Sequence, residues 1–102
     1  MYTEVTNVWE SKAATPEEAK SLQLRAQMMI VLRQIICERG WNQKEAARNL
    51  GISQPRVSYI INGQVSKFAM DKLLDLLMKA GYNIDVVLKD GVPQFETTVA
   101  AY

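Results

Sequence analysis

Gln54, Pro55, Ser58, Tyr59 and Asn62 follow i, i+1, i+4, i+5, i+8 spacing, which on a helix gathers them on one face. Val57, Ile60 and Ile61 fall on the other side, as an apolar set. A helix buried on one side and carrying amides and hydroxyls on the other can hydrogen-bond to base edges in a DNA major groove. The polar face has no acid, which a groove lined by phosphates would repel. An ordinary solvated helix would more often carry Glu and Lys there. Catalytic chemistry has much less to work with, because the chain has no histidine and one cysteine, Cys37. There is no Ser-His or Cys-His pair and no zinc-ligand cluster, so no enzyme, metal or cofactor is expected.

The elements that must position that face come from a chain of 102 residues, 48% hydrophobic and 23% charged, enough for one small globular domain. The net charge of +1 hides an asymmetry. Between residues 20 and 67, Lys20, Arg25, Arg33, Arg39, Lys44, Arg48, Arg56 and Lys67 face only Glu38 and Glu45, while both ends are acidic. A basic middle fits a polyanionic partner, and it equally fits a solvated helix face. A single thiol cannot close an internal disulfide, the start Met1-Tyr2-Thr3-Glu4 has no basic leader, and no apolar run approaches ~20 residues. A cytoplasmic, nucleoid-associated protein with no membrane segment is expected.

Helix signals punctuate the middle of the chain. Thr15-Pro16-Glu17-Glu18 supplies a cap, a proline for the first turn and a capping-box glutamate. Leu22, Ala26, Met29, Ile30, Leu32, Ile36 and Cys37 then form an apolar stripe up to Gly40, with Cys37 expected as an inert core thiol. Asn42 with Glu45 opens a short helix over Gln43–Leu50, and Ser53 caps another over Gln54–Ile61. Asn62-Gly63 breaks the chain, and a fourth helix is expected from near Ser66 to Gly81, carrying Phe68, Met70, Leu73, Leu74, Leu77 and Met78. The period then becomes two over Tyr82–Lys89, which predicts a strand, followed by the turn pair Asp90-Gly91. Residues 94–102 are weakly patterned and expected to be loose. Residues 1–14 fit a short strand, a docking arm or a frayed terminus.

Two short helices joined by about three residues containing glycine have the form of a helix-turn-helix. Ala47 allows a close helix crossing, Gly51 supplies the left-handed turn, Val57, Ile60 and Ile61 face the first helix, and Leu50 and Ile52 fill the space between. The other reading of this pair is an αα-hairpin used for packing alone. The run from Asn42 to Gly63 resembles the Cro/C1-type (XRE) helix-turn-helix. The wider frame is similar to the HigA-like branch, through Asn7-Val8-Trp9-Glu10, the long first helix, Trp41-Asn42-Gln43, the Phe68 helix and the Gly81-Tyr82 strand. Many members of that branch are antitoxins, and stand-alone repressors share the frame.

The resemblance implies a repressor that binds double-stranded operator DNA and, more narrowly, an antitoxin that masks a RelE-like toxin. It implies a phosphate contact for Gln43 and a base-reading role for Gln54 after the Ser53 cap, where glutamine suits adenine. Pro55 departs from the family pattern and either touches a thymine methyl or stiffens the helix start. Tyr59 reaches a base edge or a phosphate, Arg56 and Ser58 share the exposed surface, and Asn62, Lys67 and Lys44 fit phosphate-clamping positions. The expected fold is mainly α: a bundle of four to five helices with a C-terminal strand. Its divisions are an arm (1–14), a helix-turn-helix domain (15–81, motif 43–62) and a dimerising strand and tail (82–102). A lone strand leaves its ladder unpaired, so Tyr82–Lys89 is expected to pair with its copy in a homodimer on a palindrome; the other reading folds it back on its own chain. The rival function is a protein-interaction adaptor built on the same scaffold.

Overall fold

The structure, a computed structural model, describes residues 15–99. Among these residues four α-helices are followed by a β-hairpin: α1 (Pro16–Glu38), α2 (Gln43–Leu50), α3 (Gln54–Ile61), α4 (Met70–Lys79), β1 (Tyr82–Lys89) and β2 (Val92–Val99). A short 3₁₀ turn, Val65–Lys67, links α3 to α4. The expected arm at residues 1–14, with Val5 and Asn7–Glu10, lies outside the described residues, as do residues 100–102. Among the described residues no helix is long and apolar enough to cross a membrane.

The helix boundaries follow their caps. Thr15 Oγ1 accepts from the Glu18 N–H at 3.1 Å, with Pro16 in the first turn where its missing N–H costs nothing. Asn42 and Glu45 form a reciprocal box: Asn42 Oδ1 accepts from the Glu45 N–H at 2.8 Å, and Glu45 Oε1 accepts from the Asn42 N–H at 2.9 Å. Gly51 closes α2 at a φ of +69°, and the N–H groups of Gly51 and Ile52 both turn back to the Ala47 carbonyl. The reversal brings α2 and α3 into contact, and Ala47, Leu50, Val57 and Ile60 are buried in one core with Met29, Leu32 and Ile36 of α1.

Three expectations need correcting. The fourth helix begins at Met70 rather than near Ser66, and Phe68 precedes it in an extended conformation. Val65 and Phe68 are three apart and both buried, which a tight 3₁₀ turn achieves by aligning i and i+3. The chain then has to extend before α4 can start along its own axis. On α1 the buried line runs through Met29, Leu32, Ile35 and Ile36, so Ile30 and Cys37 are exposed and Cys37 is not a core thiol. Among the described residues α1 is covered on one side only, which is narrower than the apolar stripe its spacing suggests.

The third correction is the C-terminal segment. Residues 92–99 are strand β2, antiparallel to β1, with Tyr82 opposite Val99 and Lys89 opposite Val92. Asp90 (φ 54°) and Gly91 (φ 77°) are both left-handed, the backbone of a two-residue hairpin turn that matches strand twist. One edge of β1 is therefore paired within its own chain, so β1 is not the lone strand that called for a second copy as its ladder partner. The register puts Tyr82, Ile84, Val86 and Leu88 on one face with Pro93, Phe95, Thr97 and Val99. At its base this face docks on the helices, where Tyr82 and Ile84 pack against the core.

Gly51 tests the helix-to-helix turn. A Cβ there would meet the Nζ of Lys79 at 3.4 Å, an ordinary van der Waals contact, so the cost of Gly51→Ala is set by its φ. The substitution is expected to destabilise the fold by about 1–2 kcal/mol, read as a lower urea midpoint at unchanged slope. An unchanged midpoint would contradict the turn's role.

Candidate nucleic-acid interface

The sequence of α3 divides it into two unlike sides. Val57 and Ile60 are fully buried, whereas Gln54 and Pro55 at the start of the helix are exposed. The first turn is organised by Ser53, whose Oγ accepts from the Arg56 N–H at 3.4 Å, with Pro55 inside the turn. Ser53 thus spends its side chain on the cap. The first turn contains no acid, so the partial positive charge at this helix end is left uncompensated.

The remaining expected site residues are less free than their spacing suggested. Arg56 is half-buried, its guanidinium carbon 4.5 Å from the centre of the Phe68 ring. That stacking turns it towards the core edge rather than outward as expected. Ser58 is half-buried and accepts at Oγ from Asn62 Nδ2 at 3.1 Å. Tyr59 is half-buried against the core, with the Lys67 ammonium 5.3 Å from its ring centre. Gln43 and Lys44 open α2 and are exposed. The arrangement gathers Ser53, Gln54 and Pro55 at one helix end and couples Tyr59 to Lys67; Gln43 and Lys44 come from the neighbouring helix.

Charge is distributed with a clear bias. From Ala46 to Met70 the chain has no carboxylate at all. Among the described residues the ion pairs involve Lys72 and Lys79 with Asp75, and Lys89 with Glu96, all beyond the two-helix unit. Lys44, Arg48, Arg56 and Lys67 enter no such pair there; Lys44, Arg48 and Lys67 are exposed, whereas Arg56 is held on the Phe68 ring. A helix-turn-helix domain family model matches residues 13–89. The chain belongs to the helix-turn-helix domain family. A comparison with curated proteins found no match.

In this helix-turn-helix domain, two arginines of α1 bond to backbone carbonyls, one at the end of the motif's second helix and one in the segment that follows it. Arg33 of α1 donates from Nη1 to the Ile61 carbonyl at the end of α3, at 3.4 Å. Arg25, also on α1, donates from Nη1 to the Phe68 carbonyl at 3.1 Å. Both contacts join positions at least 28 residues apart, so no local spacing signals them. Their presence in the basic middle shows that part of its charge is used inside the fold.

Arg56 and Gln54 should separate fold from surface. Arg56→Ala removes the stacking on Phe68 and is expected to lower stability by about 0.5–1 kcal/mol. Gln54→Ala, at an exposed position, should stay within about 0.5 kcal/mol of wild type. Chemical denaturation of the two variants checks this; a larger loss for Gln54→Ala would reverse the assignment.

Proposed function

We propose that the protein is a transcriptional regulator, a repressor that binds operator DNA as a homodimer with α3 in the major groove. The observation that carries this reading is the two-sided α3, anchored through Val57 and Ile60 and exposing Gln54 and Pro55, in a motif whose Lys44 and Lys67 are exposed and enter no ion pair among the described residues. In this reading Gln54 reads an adenine through its amide, and Pro55 packs on a thymine methyl. Gln43, Lys44, Asn62 and Lys67 bind phosphate, with Tyr59 backing Lys67. Ser53 and Arg56 act mainly by fixing the helix that carries Gln54, and Ser58 does so through Asn62. Two copies place their α3 helices about 34–36 Å apart on a palindrome.

The HigA-like frame extends the reading to an antitoxin that represses its own operon in the cytoplasm and masks a RelE-like toxin. That extension predicts a neighbouring toxin gene whose product co-purifies with this chain.

Operator sites selected from a random duplex library provide the test. Gln54→Ala should weaken binding to the selected site by about 1–3 kcal/mol and leave binding to random duplex nearly unchanged. Equal losses on both would show that Gln54 does not read bases. Wild-type affinity should fall steeply with salt, and Lys44→Ala or Lys67→Ala should each flatten the log–log slope by about 0.9. A salt-independent affinity, or no selected site, would favour the adaptor reading instead.

A further inference from the structure

The apolar face of the hairpin docks on the helical body at its base only. Beyond Ile84 the same face continues through Val86, Leu88 and Phe95, which are 61%, 73% and 73% exposed. Every formal charge of the hairpin lies elsewhere. Asp85, Lys89 and Glu96 occupy the opposite face by register, and Asp90 is in the turn. At the base the uncovered face runs into a groove of about 370 Å³ between α1, α4 and the hairpin, walled by Leu24, Met28, Leu74, Leu77, Ile84 and Phe95. A face that carries no charge yet leaves Leu88 and Phe95 in water is built to be covered.

We infer that a second copy of this chain covers it, hairpin face to hairpin face across a two-fold axis. This rests on the dimeric reading above and gives that dimer its seam. In a two-fold seam each residue appears twice, so any charge on the face would meet its own kind. This face carries none. Its exposed side chains and the groove walls form one continuous apolar surface, of the kind that subunit interfaces bury. A small apolar ligand could fill the groove but would leave Leu88 and Val86 in water. The seam also leaves the DNA side open, because the hairpin packs on α4 and α1 whereas α3 packs on α1, α2 and the 3₁₀ turn. It differs from ladder extension in using side chains rather than a strand edge.

Sedimentation of the full chain gives the first measurement. Wild type should be dimeric at micromolar concentration, and Phe95→Glu should raise the dimer dissociation constant at least about 100-fold by burying two like charges in the seam. Gln94→Glu, a charge added on the opposite face, should remain dimeric. A monomeric wild type, or a Phe95→Glu dimer as tight as wild type, would overturn the inference. Should Phe95→Glu fail to fold, isotope-filtered NOEs on a mixed-labelled wild-type sample decide instead. Cross-peaks between copies are expected among Val86, Leu88 and Phe95, and their confinement to other surfaces would overturn the seam. A 30-base-pair random-sequence duplex, titrated in parallel at low salt, separates this outcome from the DNA reading. Dimers lost on Phe95→Glu without any duplex binding by wild type uphold the seam and remove the DNA reading; duplex binding by a monomeric wild type does the reverse.

Discussion

The left-handed turn at Gly51 is the constraint on which the geometry of this domain depends. At a φ of +69° the chain leaves α2, turns its next two N–H groups back to the Ala47 carbonyl, and enters the Ser53 cap of α3 within three residues. A side chain at Gly51 would add strain to this turn. The turn in turn fixes which residues of α3 face inward, because Val57 and Ile60 must reach the pocket left by the small Ala46 and Ala47 and by Leu50. Once those are buried, the exposure of Gln54 and Pro55 follows from helical periodicity alone.

The exposed side of α3 is held more rigidly than a surface helix of eight residues would be by itself. Arg33 fastens its C-terminal end, and Arg56 clamps its first turn onto Phe68, which Arg25 also holds through the Phe68 carbonyl. These contacts use guanidinium groups, whose planar fork can donate to a carbonyl or stack on a ring while keeping its charge. The basic middle of the chain therefore has two uses. Some cations brace the helix, while Lys44 and Lys67, more exposed, keep their charge on the outside.

Much of this was legible in the sequence because the deciding signals were local. Thr15, Asn42-Glu45, Gly51 and Ser53 act within four residues of themselves, and they set where α1, α2 and α3 begin and where α2 ends. The strand Tyr82–Lys89 was legible from its alternation. What escaped was set at longer range. Phe68 reads as helical by spacing, but its burial with Val65 forces a 3₁₀ turn first. Cys37 lies on an apolar stripe, yet no described residue buries α1 on that side. Strand β2 had a signal, since Asp90-Gly91 is the hairpin dipeptide, but Pro93, Phe95, Thr97 and Val99 make a weak apolar face when read alone. Only the register with β1 reveals it. Within the site, Gln54 and Pro55 stand where spacing put them, whereas Arg56 and Tyr59 are drawn inward by aromatic contacts that no spacing encodes.

The central claim is that the exposed side of α3, set by the Gly51 turn, meets DNA. The most direct measurement is amide shift mapping of the ¹⁵N-labelled chain against its selected duplex. The account predicts large perturbations at Gln43, Lys44, Ser53, Gln54 and Arg56 and again from Asn62 to Lys67, with the hairpin amides of Val86 and Leu88 unmoved. Perturbations gathered on the hairpin, with α3 unchanged, would contradict it.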